Sequence, residues 1–413
     1  MSINKTVRLY DNDPYEKSMR AKILEVRPAG DGKVSAVLDR TVFFPEEGGQ
    51  TSDTGTLGGY EVTHVSIDGG IIYHEVSCGA GDLHEGDEIE GSIDWDHRFS
   101  NMQNHTGEHI LSGLLHSIWG SENVGFHLSD NIVTLDTSKL LGDEELIELE
   151  GRANEAVYRD IPVECRYYQP EELTGTEYRS KKDFDEDVRI VTIPGVDVCA
   201  CCAPHVKRTG EIGLIKLIRA IRYKGGTRLT ILSGRRAYEY LTAQQRTIEE
   251  LSHMLSESPD NLPAAVERLM KDIEAFRIEK LNAGRERLEK AIAAIEKGGS
   301  SIIFTPEVDN VVQRRAVNTM TGICGQHYKG SKESGEDGPG WGICAIFAGN
   351  DESGYRYIAS CPGGDARNIS KLLAEKHSAK GGGSAEMVQG SIAAGEKEIR
   401  ETLTGYLGVK DGK

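Results

Sequence analysis

The chain has 413 residues, 38% of them hydrophobic and 28% charged, with a net charge of -18 and a mean hydropathy of -0.42. That length exceeds one ordinary domain, and the composition excludes wholesale disorder. The acidic balance argues against indiscriminate nucleic-acid binding, and no apolar run approaches the roughly eighteen residues that cross a bilayer, so a cytoplasmic protein without membrane contact is expected.

Residues 1–94 read as short alternating strands, among them Ala21–Val26, Val34–Leu38 and Ile71–Val76, separated by Gly and Asp turns. That pattern predicts a small β-barrel carrying a glycine-rich loop. A second domain, 95–235, opens with a helix in which Ile110, Leu111, Leu114, Leu115 and Ile118 form an apolar stripe, then alternates helix and strand. Residues 236–298 become helical, with Leu241, Ile248, Leu251 and Leu255 before a Pro259/Pro263 break and Val266, Leu269, Ile273 and Phe276 after it. The prolines favour a helical hairpin or coiled coil that pairs within the chain or joins two copies as a homodimer. The last part, 299–413, carries apolar strands at Ile302–Phe304, Gly342–Phe347 and Tyr355–Ala359, a polar loop over Lys329–Gly340, and a helix from Asn368 to His377. It reads as an α/β domain, so the fold class is α+β and multidomain.

The chemistry concentrates in a few places. His105 and His109 stand at i and i+4 on the helix, on one face and close enough to share a cation. Cys201 and His205 have the same separation after a strand-like segment, and together the four make a tetrahedral nitrogen and sulfur set suited to zinc. Four protein ligands by themselves describe a structural staple, whereas catalysis needs a place where water reaches the metal and attacks a carbonyl. Cys199-x-x-Cys202 admits a redox reading but lacks the strand-to-helix setting of thioredoxin-like motifs. Glu108, about 100° around the helix from His109, is either a solvated residue or a proton shuttle. Gly48-Gly49-Gln50 closes a glycine turn whose amides either position an ester or simply join two strands. Between Lys207 and Arg236 lies one basic stretch, with Lys207, Arg208, Arg219, Arg222 and Lys224 among its cations and Glu211 its sole acid.

With these motifs in this order, the sequence resembles the editing domain of alanyl-tRNA synthetase and its freestanding relatives, the alanyl-tRNA editing proteins. In that family a segment ending in Gly-Gly-Gln precedes H-x-x-x-H, and C-x-x-x-H follows within Cys-Gly-Gly-Thr-His-Val. Here Gly48-Gly49-Gln50, His105/His109 and Cys201/His205-Val206 hold those places, while Cys202-Ala203-Pro204 replaces Gly-Gly-Thr and Glu47 replaces a glycine. The segment Leu262–Leu269 and the Gly381-Gly382-Gly383 to Gln389-Gly390 loop resemble the synthetase's C-terminal part, so the similarity runs from Thr41 to Ile392. No class II synthetase catalytic core accompanies it. The resemblance implies trans-editing: hydrolysis of serine, and also glycine, mischarged on tRNA-Ala, with zinc at His105, His109, Cys201 and His205. Gln50 would orient the acceptor end and Glu108 would shuttle a proton. Lys207, Arg208, Arg219, Arg222, Lys224, Gly381, Gly382 and Gly383 would contact tRNA. The competing readings are editing of Ser-tRNA-Thr and a non-catalytic, zinc-stapled tRNA-binding protein.

Overall fold

The computed structural model describes residues 4–130, 132–173, 177–180, 187–295, 300–334 and 341–408. They form two compact units, Met1–Glu250 and Leu251–Lys413.

The first unit begins with a closed barrel of β1 (Ser18–Gly30), β2 (Lys33–Leu38), β3 (Gly55–Leu57), β4 (Tyr60–Asp68), β5 (Ile71–Val76) and β6 (Glu88–Ile93), in the order β1-β2-β5-β4-β3-β6. Alternate residues of β5 and β6 are buried, the period of two that a strand with one face on a core requires. Ile23, Leu38, Phe43, Phe44, Leu57, Val62, Val65 and Ile72 fill the interior.

Helix α1 (Trp95–Trp119) follows, capped by the Asp94 side chain, which accepts from the His97 amide, and ended by Gly120 in the left-handed conformation. It is buried along most of its length because elements pack on several sides of it. Two of its glycines permit this: a Cβ on Gly107 would lie 2.2 Å from Ser233 Oγ, and one on Gly113 would lie 2.3 Å from the Val196 carbonyl. Around it stand β7 (Asn123–Leu128), β8 (Val133–Thr137), helix α2 (Asp143–Tyr158), the three-stranded sheet β9 (Glu164–Tyr168), β10 (Val188–Ile193) and β11 (Asp197–Ala200), and the strands β12 (Ile215–Tyr223) and β13 (Gly226–Ser233). The second sheet runs β12-β13-β8-β7, and its residues join those of α1 and α2 in a separate core. The buried Asn104 amide ties α1 to β13 through the Ser233 backbone.

Two helices come next, α3 (Arg235–Leu255) and α4 (Leu262–Ala293), interrupted by Ser256 at positive φ and a short turn at Pro259–Asn261. In the second unit β14 (Ser301–Thr305), β15 (Cys344–Asn350), β16 (Gly354–Ser360), β17 (Lys380–Gly383) and β18 (Met387–Ile392) form a mixed sheet ordered β14-β15-β16-β18-β17. Helices α5 (Asn310–Ser334), α6 (Arg367–His377) and α7 (Glu396–Tyr406) accompany it, with two separate cores.

Two expectations need amending here. The polar segment expected as a loop over Lys329–Gly340 is helical as far as Ser334, and 335–340 lie outside the described residues. The Gly381–Gly383 run is an edge strand rather than a loop. Its glycines let β17 and β18 approach: a Cβ on Gly381 would sit 2.5 Å from both the Gln389 carbonyl and Tyr357 Oη. All eight cysteines are free thiols, and no described helix is long and apolar enough to cross a membrane.

Candidate metal centre

The Gly-Gly-Gln turn is held at both ends. Phe44 and Asp53 exchange bonds, the Phe44 amide to Asp53 Oδ2 at 2.6 Å and the Asp53 amide to the Phe44 carbonyl at 2.9 Å. Asp53 in turn meets Arg98 of α1, a fully buried ion pair whose guanidinium also donates to the Pro14 and Val42 carbonyls. Such a pair is costly to bury, so its value here is register: it locks the turn to the helix that carries the histidines. At the far side Leu128 N donates to Gly49 O at 2.7 Å, Thr51 N to Leu128 O at 3.1 Å, and a Cβ on Gly49 would meet the Phe126 carbonyl at 2.7 Å. Gly48 and Gly49 both have positive φ, so the turn requires glycine for its conformation and for its closeness to β7.

This docking carries Gln50 against α1, where its Oε1 lies 2.8 Å from His105 Nδ1. His109 Nδ1 is 2.8 Å from Asp197 Oδ2 of β11, and His205 Nδ1 is 3.0 Å from Thr106 Oγ1. Each imidazole is thus held at Nδ1, which leaves Nε2 for the centre, the arrangement that orients histidines toward a metal. His105 Nε2 and His205 Nε2 stand 3.5 and 3.4 Å from Cys201 Sγ, and donor atoms of all four residues lie within 4.8 Å of one another. Asp197 is fixed by Arg179, which donates from Nε at 2.7 Å and Nη2 at 2.8 Å. Burial would raise the Asp197 carboxyl, but His109 and Arg179 hold it below its ordinary value. Burial would likewise raise the Cys201 thiol; the neighbouring His105 and His205 outweigh it and bring Cys201 well down, toward the thiolate that ligates. Burial pushes His205 down to about 3, so it is neutral, as a ligand must be. Three imidazoles and a thiolate fit zinc; burial would lower His109, but Asp197, Cys199 and Cys201 hold it well above its ordinary value, so a metal binding there displaces its proton. Cys202 differs from its neighbour: burial and the Cys201 and Glu47 charges push its thiol up, so it stays protonated.

A cavity of about 460 Å³ opens on this cluster. His105, His109 and Cys201 line it, as do Glu108, Asn123, Phe126, Arg179 and Cys199, while His205 does not.

Residues 188–230 match the family described as threonyl and alanyl tRNA synthetase second additional domain, and residues 14–97 match the one described as tRNA synthetases class II (A). The chain is 31% identical over 268 residues to the alanyl-tRNA editing protein AlaX-L of Pyrococcus horikoshii, covering 63% of this chain and 66% of that protein. It is 30% identical over 291 residues to an alanyl-tRNA editing protein of Xenopus laevis, covering 66% of this chain and 70% of the other. The chain belongs to the alanyl-tRNA editing protein family. It also shares 34% identity over 308 residues with the alanine–tRNA ligase of Pyrococcus abyssi, across 70% of this chain but only 32% of the ligase's length.

The structure brings together all four metal-set residues and Gln50, whose side chain is 1% exposed and meets His105 rather than the cavity. Glu108 is no solvated helix residue: it is 3% exposed, lines the cavity, and accepts from Asn123 Nδ2 at 2.7 Å and from Ser112 Oγ. The basic stretch is split. Lys207, Arg208, Lys216, Arg228 and Arg235 pair with carboxylates, and Arg236 donates to Ser100, Asn101 and Ser129. Arg219, Arg222 and Lys224, all exposed on the β12–β13 hairpin, have no ion-pair partner among the described residues. Gly381, Gly382 and Gly383 lie in the second unit. Thr106, Arg179, Asp197, Ser112 and Asn123 went unremarked in the sequence because nothing in their spacing signals a role. Only Thr106, inside the His105–His109 motif, could have been picked out by position.

Proposed function

We propose that this family member hydrolyses serine, and also glycine, esterified to tRNA-Ala, using zinc held by His105, His109, Cys201 and His205. The observation that carries the reading is that three members of the four-donor set line an open cavity. A metal that merely staples a fold gains nothing from such access. The similar editing proteins are named for alanyl-tRNA and the similar ligases for alanine and tRNA, which supports tRNA-Ala as the carrier.

Zinc, when bound, supplies a fixed positive charge that polarises the scissile ester. Gln50 acts through His105, fixing the ring so that Nε2 faces inward. Asp197 does the same for His109. Glu108, steadied by Ser112 and Asn123, accepts a proton from water in the cavity. The water oxygen attacks the ester carbon, the bond to the ribose oxygen breaks, and the proton passes to that oxygen. Free amino acid and an RNA 3′ hydroxyl result. Arg219, Arg222 and Lys224 hold backbone phosphates, with Lys207 and Arg208 at the flank and the Gly381–Gly383 edge as a second contact. The helical region supports a homodimer: Tyr238, Leu241, Met254, Leu269, Ile273 and Phe276 are exposed apolar residues on α3 and α4.

The decisive assay follows ester lifetimes of Ser-tRNA-Ala, Gly-tRNA-Ala, Ser-tRNA-Thr and Ala-tRNA-Ala with the folded, zinc-loaded chain. Shortened lifetimes for the first two alone are expected. Faster loss of Ser-tRNA-Thr would move the assignment to the threonine system, and binding without turnover would leave a zinc-stapled RNA-binding protein.

A further inference from the structure

Two arginines of the cavity are not used by the mechanism above. Arg189, on β10, is 5% exposed, lines the cavity, and spends one nitrogen on protein: Nη1 donates to the Cys201 carbonyl at 3.0 Å and the Ala203 carbonyl at 2.8 Å. Among the described residues its Nε and Nη2 donate to nothing and no carboxylate lies within ion-pair distance of it. Arg8, half-buried on the two-residue strand Val7–Arg8, lines the same cavity and has neither a hydrogen-bond acceptor nor an ion-pair partner among the described residues. Arg179 is the contrast, since Asp197 satisfies it at both carboxylate oxygens.

A guanidinium presents five donors in a planar fork that matches an oxyanion, and one buried with its donors unfilled is expensive unless an anion completes it. Burial would lower Arg8, but the charges of Tyr10, Asp11, Glu47 and Tyr167 raise it, and neither Asp11 nor Glu47 makes an ion pair with it. Asp11 Oδ2 accepts from the Tyr167 hydroxyl at 2.8 Å, while Asp11 Oδ1 and Glu47 Oε2 are buried without a hydrogen-bond partner among the described residues. The remaining acids of the wall, Glu108, Glu122 and Asp187, make no ion pair with either arginine. At about 460 Å³ the cavity falls in the range that encloses ligands much larger than a seryl group.

We propose that Arg8 and Arg189 form an anion subsite in the cavity wall that takes the 5′-phosphate of the terminal nucleotide of the esterified RNA. The identity of that phosphate rests on the editing reading. An ester on the terminal ribose has that phosphate as its nearest anionic neighbour, so a cavity that holds the ester at His105, His109 and Cys201 lies within reach of it. A subsite there registers the ester against the metal set and makes the enzyme selective for nucleotide esters over free amino-acid esters.

The test is calorimetric titration of the zinc-loaded full chain with adenosine 5′-monophosphate, adenosine and inorganic phosphate. The monophosphate should bind at least about tenfold tighter than adenosine, the scale of one charge-assisted contact. Arg8→Gln should remove most of that preference with adenosine affinity and thermal midpoint unchanged, and Arg8→Lys should restore part of it. Equal binding of monophosphate and adenosine, or an undiminished preference in Arg8→Gln, overturns the subsite. Inorganic phosphate binding as tightly as the monophosphate overturns its assignment to a nucleotide. A protein that prefers the monophosphate yet leaves Ser-tRNA-Ala intact refutes the editing reading alone, and one that cleaves the ester without the preference refutes the subsite alone.

Discussion

Replacing Asp197 by Asn tests whether the residues behind the histidines, and not the ligand set alone, make the metal centre. The Asp197 side chain is nearly isosteric with Asn and is 2% exposed, so shape is kept and charge is lost. Three interactions depend on that charge: His109 Nδ1 at 2.8 Å, Arg179 Nε at 2.7 Å and Arg179 Nη2 at 2.8 Å. The amide oxygen of Asn can still accept from one of them, but its NH2 group must then face a donor. Loss of such a partner typically weakens metal binding about 10–100-fold, or about 1.4–2.8 kcal/mol. The unpaired, largely buried Arg179 adds a further cost of about 3 kcal/mol to folding. Zinc affinity of Asp197→Asn should therefore fall by one to two orders of magnitude in competition with a chelating indicator, with thermal unfolding at a lower midpoint. Asp197→Glu, which restores charge with imperfect reach, should fall between. Wild-type zinc affinity in folded Asp197→Asn would refute the claim that Asp197 orients His109.

Four other outcomes follow from the same structure. His74 is fully buried in the barrel, its Nδ1 3.1 Å from the Ala36 carbonyl and its Nε2 2.8 Å from Thr41 Oγ1, and burial pushes it down to about 4. An unfolded histidine takes up a proton near 6.5 and the folded one does not, so His74 favours the folded state fully above 6.5. That advantage is lost as the pH falls toward 4, by about 3 kcal/mol in all; a His74→Gln variant should lose less urea resistance between pH 7.5 and 4.5 than the wild type does. Gly113→Ala should destabilise the first unit by about 1–3 kcal/mol in denaturant melts, because its Cβ would strike Val196 and Asp197 across the helix–strand contact. Reversing Arg219 and Arg222 to Glu should weaken tRNA binding and flatten its salt dependence by about two counterions while leaving zinc content unchanged. Glu108→Gln should lower kcat on Ser-tRNA-Ala by about 10²–10⁴-fold with zinc still bound, and full activity in that variant would remove Glu108 from the chemistry.

Much of the site was legible because its chemistry is written in local spacing. The four-residue separations of His105 from His109 and of Cys201 from His205 announce a shared cation whatever the rest of the chain does, since one helical turn or one tight loop sets each distance. Gly48-Gly49-Gln50 was legible as a turn, but that Gln50 faces His105 depends on the turn docking against β7, which is a contact with Phe126 and Leu128 far along the chain. Glu108 was ambiguous for a related reason. Its helical angle excludes the histidine face but does not say whether solvent lies on the other side, and the answer came from Asn123. The glycines at Gly381–Gly383 read as a loop because glycine is poor in strands. Only the pairing of β17 with β18 and the nearness of Tyr357 explain why side chains are excluded there.

By itself, then, the amino-acid order determined the four donors, the glycine turn, the alternation of strand and helix and the position of the cationic stretch, all properties of neighbours in the chain. Tertiary structure alone decided which side chains stand behind the ligands, that Glu108 is buried, that five of the nearby cations are neutralised while Arg219, Arg222 and Lys224 have no ion-pair partner among the described residues, and that Arg8 and Arg189 share one cavity. Those facts turn on pairs such as Asp197 with His109 and Asp53 with Arg98, separated by 88 and 45 positions. Hydrogen bonds and ion pairs are short-ranged in space and indifferent to distance along the chain, so only the folded core brings such partners within reach.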